Sequence, residues 1–340
     1  MADIIKLLAR IDQRIPIYEI FESSESLLST ICQLSTQESI VNHIKSSTII
    51  QLNPYYIKLF IKSYITILEK KNVEIWEDLY ELYCDPTILN SQELQPTDTD
   101  LLIYPINGFS ITDSYQTITI KETPKIISGL NTTGLRTWEA ALYLANYLND
   151  STLSTYDFKH KSVLELGSGT GLLSLSLLKT YGDEIEKLIV TDGSISVFDN
   201  FHETLKINHL SQEKLKCQQL LWGTTNPEHE DSFIQAPPEN IDIIVAADIT
   251  YDSRVLDLLC QTIDDFFKVS NTQLALISAT IRNIDTITEW ESQLNKWFNG
   301  NWSIKHSTLQ PGDIDSLVKF KQTTPEIRIY QIINPTSLYT

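Results

Sequence analysis

The stretch Val163-Leu164-Glu165-Leu166-Gly167-Ser168-Gly169-Thr170-Gly171 limits what this chain can fold into more than any other part of it. An apolar run ends in a glycine-dense turn, and Leu172-Leu173-Ser174-Leu175 then starts a new apolar period. That order predicts a strand, a tight loop and a helix N-terminus. Glycine in such a loop accepts positive φ and lets a ligand approach bare amides. The helix behind it offers unpaired N–H groups and a partial positive charge, which favour a carboxylate or phosphate. Spacing removes two common ligands. The dinucleotide fingerprint G-x-G-x-x-G would need its third glycine at Leu172, and Gly171 falls one residue early. A phosphate-binding loop would end in Gly-Lys-Ser/Thr, where this chain has Gly171-Leu172-Leu173.

The pattern that remains, E-x-G-x-G-x-G, resembles motif I of the seven-strand S-adenosylmethionine (AdoMet) methyltransferases. A glycine turn without a ligand stays open on the loop alone. The surroundings bear on the choice. Strands are expected over 162–166, 187–190, 215–221, 241–247 and 273–279, with helices over 171–181, 194–209, 253–268 and 284–298 between and after them. A charged, proline-containing loop covers 224–240, and two β-rich segments, 302–307 and 325–333, close the pattern. Alternating β and α units predict an α/β fold, a doubly wound parallel sheet capped by an antiparallel pair.

Upstream the pattern differs. Apolar residues at three- and four-residue spacing predict helices over 3–14, 26–34, 38–46, 56–68 and 75–83. A polar stretch over 86–100 reads as a linker. Strands over 101–106 and 116–122 and a helix over 134–148 follow. A chain of 340 residues exceeds the usual single domain. The expected division is therefore 1–95, helical, and 96–340, carrying the sheet.

Composition narrows the function classes. The net charge of −18 opposes non-specific binding to nucleic acid or to an anionic membrane. The four cysteines, Cys32, Cys84, Cys217 and Cys260, form no C-x-x-C pair and read as buried thiols of a reducing compartment. The six histidines show no ligand spacing, so no metal is expected. No apolar stretch reaches membrane-spanning length and no secretory leader pattern opens the chain. A cytoplasmic monomer is expected.

In open α/β sheets ligands lie beyond the carboxyl ends of the strands. Asp192 ends the second strand, placed to accept hydrogen bonds from ribose hydroxyls; a helix N-cap is its plainer role. Trp222 ends the third, where its face can stack on adenine, unless it is a core tryptophan. Asp248 and Tyr251 leave the fourth strand where a reactive methyl would lie, unless they are a helix-start acid and a packed tyrosine.

Taken together, the glycine motif, Asp192, Leu221-Trp222-Gly223 and Asp248-Ile249-Thr250-Tyr251 resemble a group of seven-strand protein-lysine methyltransferases with a D/E-x-x-Y motif after strand four. Gly134-Leu135-Arg136-Thr137-Trp138-Glu139-Ala140-Ala141 is similar to the group's G-x-x-x-W-x-A-A element, whose tryptophan lies near the cofactor. The resemblance covers 100–335 and implies the class I AdoMet methyltransferase type of sheet. It implies AdoMet as cofactor, held by Trp138, Glu165, Gly167, Ser168, Gly169, Asp192, Trp222 and Ala247. Asp248 would accept hydrogen bonds from the lysine amine and orient its lone pair, and Tyr251 would wall the lysine channel.

Residues 56–68 with Trp76-Glu77-Asp78-Leu79-Tyr80-Glu81 resemble the extension of enzymes that methylate a lysine of translation elongation factor 2. That implies a protein partner and no nucleic acid. Tyr55, Tyr56, Trp76, Tyr80 and Tyr83 outnumber what one helix face buries, so the helical part is expected to dock the substrate. Three rivals stand: a nucleic-acid base methyltransferase, though its Asn/Asp-Pro-Pro-Tyr/Phe element is missing, a small-molecule methyltransferase, and a non-enzymatic binding module of the same fold.

Overall fold

The computed structural model describes residues 2–21, 25–111, 115–126, 132–223, 240–270 and 272–335. Two compact units emerge, Met1–Ile127 with Ile314–Lys321, and Ser128–Asp313 with Gln322–Thr340.

The first unit is built on the helix Pro54–Lys70. Pro54 occupies its first turn and the Asn53 side chain accepts the Tyr56 amide at 3.1 Å, the arrangement that starts a helix with least loss. Ile57, Phe60, Ile61, Tyr64, Ile65 and Leu68 form its buried stripe. Helices Ala2–Asp12, Leu34–Ser46 and Glu77–Cys84 add Leu7, Ile11, Ile40, Val41, Ile44 and Leu79 to the same core. The aromatic surplus expected on this surface is mostly absorbed. Tyr56, Trp76 and Tyr83 pack against the core, the Tyr56 hydroxyl donates to Ile15 O at 2.7 Å, and among the five aromatics Tyr80 is the exposed one.

The expected linker is interrupted by a short helix, Pro86–Leu89, capped by Asp85. Beyond it, β1 (Asp100–Pro105) and β2 (Thr117–Glu122) form an antiparallel two-stranded sheet of their own. A division at 95 and 96 falls inside this unit. The reason is a buried staple: Asp100, 1% exposed, accepts Arg14 Nε at 3.1 Å, Arg14 Nη2 at 3.2 Å and Asn53 Nδ2 at 2.7 Å. The segment Ile314–Lys321 joins by similar means. The Gln13 side chain donates to Leu317 O at 3.0 Å and accepts the Lys319 amide at 3.1 Å, and Leu317 N donates to Gly108 O at 3.0 Å.

The second unit holds the seven-stranded sheet. Its strands are β3 (Ser162–Leu166), β4 (Lys187–Asp192), β5 (Leu215–Gln219), β6 (Ile243–Ala247), β7 (Leu274–Thr280), β8 (Trp302–Thr308) and β9 (Ile327–Ile333), in the order β5-β4-β3-β6-β7-β9-β8. The first five run parallel, and β9 lies antiparallel between β7 and β8. Every residue of β3 is buried, as a central strand covered on both faces requires. Helices Leu256–Val269 and Ile284–Phe298 contribute Leu259, Ile263, Phe266, Trp290 and Phe298 to the core against β6, β7 and β9.

Among the expected elements that are shorter than predicted, two carry site residues. The helix over 134–148 begins at Glu139, because Trp138 is extended with φ −96° and ψ 152°. The third strand stops at Gln219, so Trp222 lies in the turn beyond it. Most of the loop over 224–240 lies outside the described residues. The thiols are less uniform than expected: Cys260 is buried, Cys84 is exposed, and Cys32 and Cys217 lie between. No helix among the described residues is long and apolar enough to cross a membrane.

Candidate active site

The chain leaves β3 through Gly167, whose φ of +65° lies in the left-handed region. A Cβ there would meet Ile249 Cγ2 at 2.7 Å, so only glycine lets the loop and the end of β6 approach so closely. Gly134 makes a second close approach, where a Cβ would lie 2.7 Å from Gly169 Cα. The hydroxyls of Thr137 and Thr170 meet at 2.9 Å and tie the same two segments together. The glycine loop is thus fixed from two sides.

Asp192, at the end of β4, turns toward this loop. Its carboxylate accepts the Gly169 amide at 3.0 Å and the Ser194 amide at 2.9 Å. Burial pushes its pKa up, and the amides of Ser194, Gly169 and Gly193 pull the other way. Trp222 is partly buried against the core, and Trp138 donates its indole N–H to Thr133 O at 3.0 Å. These groups surround one cleft of about 680 Å³ beyond the carboxyl ends of the parallel strands. Trp138, Gly167, Gly169, Asp192, Trp222, Ala247, Asp248 and Tyr251 all line it.

Glu165 and Ser168 are not among the lining residues. Glu165 is buried beneath the loop, where the Ser174 hydroxyl donates to it. Burial pushes its carboxyl up to about 8, against the pull of the Ser174 hydroxyl and amide. A proton on this group removes the cost of a buried charge, and the carboxyl then braces the following helix from below. Ser168 donates its amide to Thr191 O at 2.9 Å, while its buried Oγ has no partner among the described residues.

Asp248 differs most from expectation. It follows β6 with a φ of +54°, and its side chain is 6% exposed. Its carboxylate accepts Thr280 N at 2.9 Å, Thr280 Oγ1 at 3.0 Å, Arg282 Nη1 at 3.1 Å and Arg282 Nη2 at 3.2 Å. A carboxylate already matched by a guanidinium fork and a hydroxyl has little acceptor capacity left for an incoming amine. Arg282, two residues beyond β7, belongs to this site although no motif marks it, and its place just after a strand end is the signal that could have pointed to it. Tyr251 is the opposite case, 61% exposed on the same cleft with the exposed Leu221 and Leu258. Asp252 and Arg254 also line it and pair at 2.6 Å.

The arrangement suits AdoMet on its own terms. The glycine loop leaves room where side chains would stand, and Asp192 can still accept from hydroxyls through its remaining lone pairs. Trp222 offers an aromatic surface on the same cleft.

Comparison with known proteins gives the family. A family model described as lysine methyltransferase matches residues 116–296. The protein-lysine N-methyltransferase EFM3 of Saccharomyces cerevisiae is 29% identical over 95% of this chain and 97% of its own length. The protein-lysine N-methyltransferase EEF2KMT of Homo sapiens is 27% identical over 71% of this chain and 70% of its own. Among solved structures, that of SMU.776, a putative methyltransferase complexed with SAH, aligns at 13% identity and a TM-score of 0.46, covering 80% of this chain and 67% of that one.

Proposed function

Since the chain belongs to the lysine methyltransferase family and methylates protein lysine with AdoMet as donor, we propose that its cleft is the transfer site and that the substrate is translation elongation factor 2. The observation that carries the site is convergence. Residues from the ends of β3, β4 and β6, from the turn after β5 and from the Trp138 segment line one cleft. The reading of the factor as substrate rests on the resemblance of the helical extension to that of enzymes that methylate it, and the match to EFM3, which takes in nearly all of both chains, supports a protein lysine as acceptor.

When bound, the cofactor supplies an electrophilic methyl group. The chain's own residues do the rest. Gly167 and Gly169 offer backbone, Asp192 holds hydroxyls, and Trp138, Trp222 and Ala247 give surface to pack against. Tyr251 at the exposed rim walls the path of the lysine. The nucleophile must be a neutral amine, and a free lysine, with a pKa of about 10.4, is almost wholly protonated at neutral pH. Partial desolvation in the cleft lowers that value. Asp248, engaged with Arg282 and Thr280, does not take the proton; it leaves to water. Positioning is therefore the enzyme's main contribution.

In this reading the N-terminal helices dock the substrate, with Tyr18, Leu59, Tyr80 and Leu89 the exposed groups available for contact. The enzyme acts as a monomer in the cytoplasm, without nucleic acid. The test is to incubate the purified full chain and labelled AdoMet with purified elongation factor 2. Label on one lysine of the factor is expected. A folded protein that binds AdoMet and leaves the factor unlabelled, while labelling RNA or another protein in a lysate, would reject this substrate.

A further inference from the structure

Arg282 lies two residues beyond β7 and is not itself part of the cleft lining. It holds two groups that are. Nη1 donates to Asp248 Oδ1 at 3.1 Å and Nη2 to Asp248 Oδ2 at 3.2 Å, a fork matched to both carboxylate oxygens. Nη2 also donates to Glu139 Oε2 at 2.6 Å. The guanidinium carbon lies 4.9 Å from the centre of the Trp138 ring, and that of Arg136 lies 4.6 Å from it. Arg136 in turn pairs with Glu139 at 3.7 Å. Two cations, two carboxylates and one aromatic ring thus make a closed set across three separate segments.

Only arginine can do all of this at once. Its planar fork binds a carboxylate at two points while its flat face rests on an aromatic ring, and an ammonium, a point charge, has neither the fork nor the face. The set is also asymmetric. Arg282 reaches solvent with 37% of its side chain, whereas Asp248 has 6%. A carboxylate so buried, losing its cation, would either bind a proton or turn toward water. Turning would move it into the cleft it now borders and free the Trp138 ring on that side.

We infer that Arg282 is a positioning residue for methyl transfer, acting through Asp248 and Trp138. It keeps Asp248 a charge-compensated wall of the cleft and fixes the ring against which the cofactor packs. The inference rests on the cleft being the transfer site.

The test uses the full chain with Arg282→Met, Arg282→Lys, Asp248→Asn and the double variant Asp248→Asn/Arg282→Met. Three quantities are read: AdoMet affinity by calorimetry, and kcat and KM on elongation factor 2. Arg282→Met should lower kcat by about tenfold or more, with KM for the protein substrate changed by less than about threefold, and should weaken AdoMet measurably. Arg282→Lys should stay low, because it restores charge without the fork. The double variant should recover part of both losses, because it leaves no buried charge alone. Wild-type kcat in a folded Arg282→Met protein overturns the inference. So does a double variant whose loss equals the product of the single losses. If the wild type does not label the factor, the substrate reading fails, and AdoMet affinity across the same four variants still decides the clamp. Coupled losses then support it, and independent or absent ones overturn it.

Discussion

The molecule uses one device twice, in its two units, to different ends. In the helical unit Arg14 forks onto Asp100 at 3.1 and 3.2 Å, with the Tyr56 ring 5.8 Å away. In the sheet unit Arg282 forks onto Asp248 at 3.1 and 3.2 Å, with the Trp138 ring 4.9 Å away. The arginine in the first pair and the aspartate in the second both have left-handed backbone, at φ 55° and 54°. The surroundings differ. Asp100 is closed off by the Asn53 amide, and Arg14 also donates to Leu101 O at 2.8 Å. The second pair borders an open cleft. The same chemistry staples a hairpin to helices in one place and shapes a reactive surface in the other. What remains accessible beside a buried pair decides its role. A third carboxylate, Glu165, is buried with a serine and, among the described residues, no cation beside it, and burial pushes its pKa up to about 8, which favours the protonated form.

The largest effect should come from breaking the closed pair. Asp100→Ala leaves the buried Arg14 cation without its carboxylate and should lower unfolding free energy by about 3–5 kcal/mol. Denaturant titration measures this, and AdoMet affinity below the transition should not change. A much smaller loss would mean that Arg14 finds water and that the two pairs are more alike than described.

On the open side, Asp192→Ala should weaken AdoMet by about 1–3 kcal/mol in calorimetry, since it removes an acceptor of hydroxyl hydrogen bonds. Unchanged affinity in a folded variant would take Asp192 out of the cofactor site and leave it a loop brace.

Glu165 sharpens the contrast through pH. Its folded pKa, about 8, stands above the ordinary 4.5, so the folded state keeps a proton that the unfolded chain releases. Stability from this group is fully present below the ordinary value and is lost as pH rises through about 8. One proton corresponds to a slope of at most about 1.4 kcal/mol per pH unit in that window. Glu165→Gln should flatten that slope in melts between pH 6 and 8, on the order of the window's width. An unaltered slope would show that the carboxyl is ionised there.

The smallest effect belongs to Tyr251. Tyr251→Phe keeps the wall and loses one hydroxyl, which should cost turnover about three- to tenfold and leave AdoMet affinity alone. A change in affinity without a change in turnover would move Tyr251 to the cofactor side.

Local pattern carried most of the sheet unit. The strand over 162–166 and the helix over 284–298 match the observed β3 and Ile284–Phe298, because apolar period and glycine or proline punctuation are local quantities. Long-range partners were not legible. Nothing near Asp248 in the chain indicates that Arg282, 34 residues on, neutralises it. Likewise, nothing near Asp100 indicates that Arg14, 86 residues earlier, ties β1 to the helices. The helix over 134–148 starts later than its apolar period because Gly134 and Leu135 form a turn and Trp138 is extended. Residues near strand ends, such as Asp192 and Ala247, line the cleft, whereas the buried polar Glu165 and Ser168 sit one layer below it, where spacing along the chain gives no sign of depth.

The place of β9 has a consequence for how the chain is made. Domains commonly complete themselves from the N-terminus as synthesis proceeds. Here β7 and β8 both wait for β9, at residues 327–333, and the helical unit waits for residues 314–321. Until that late stretch leaves the ribosome, neither unit is finished, and both strands destined to flank β9 present unpaired backbone to their surroundings. Growing chains of this protein therefore expose incomplete cores until residues 314–333 have emerged.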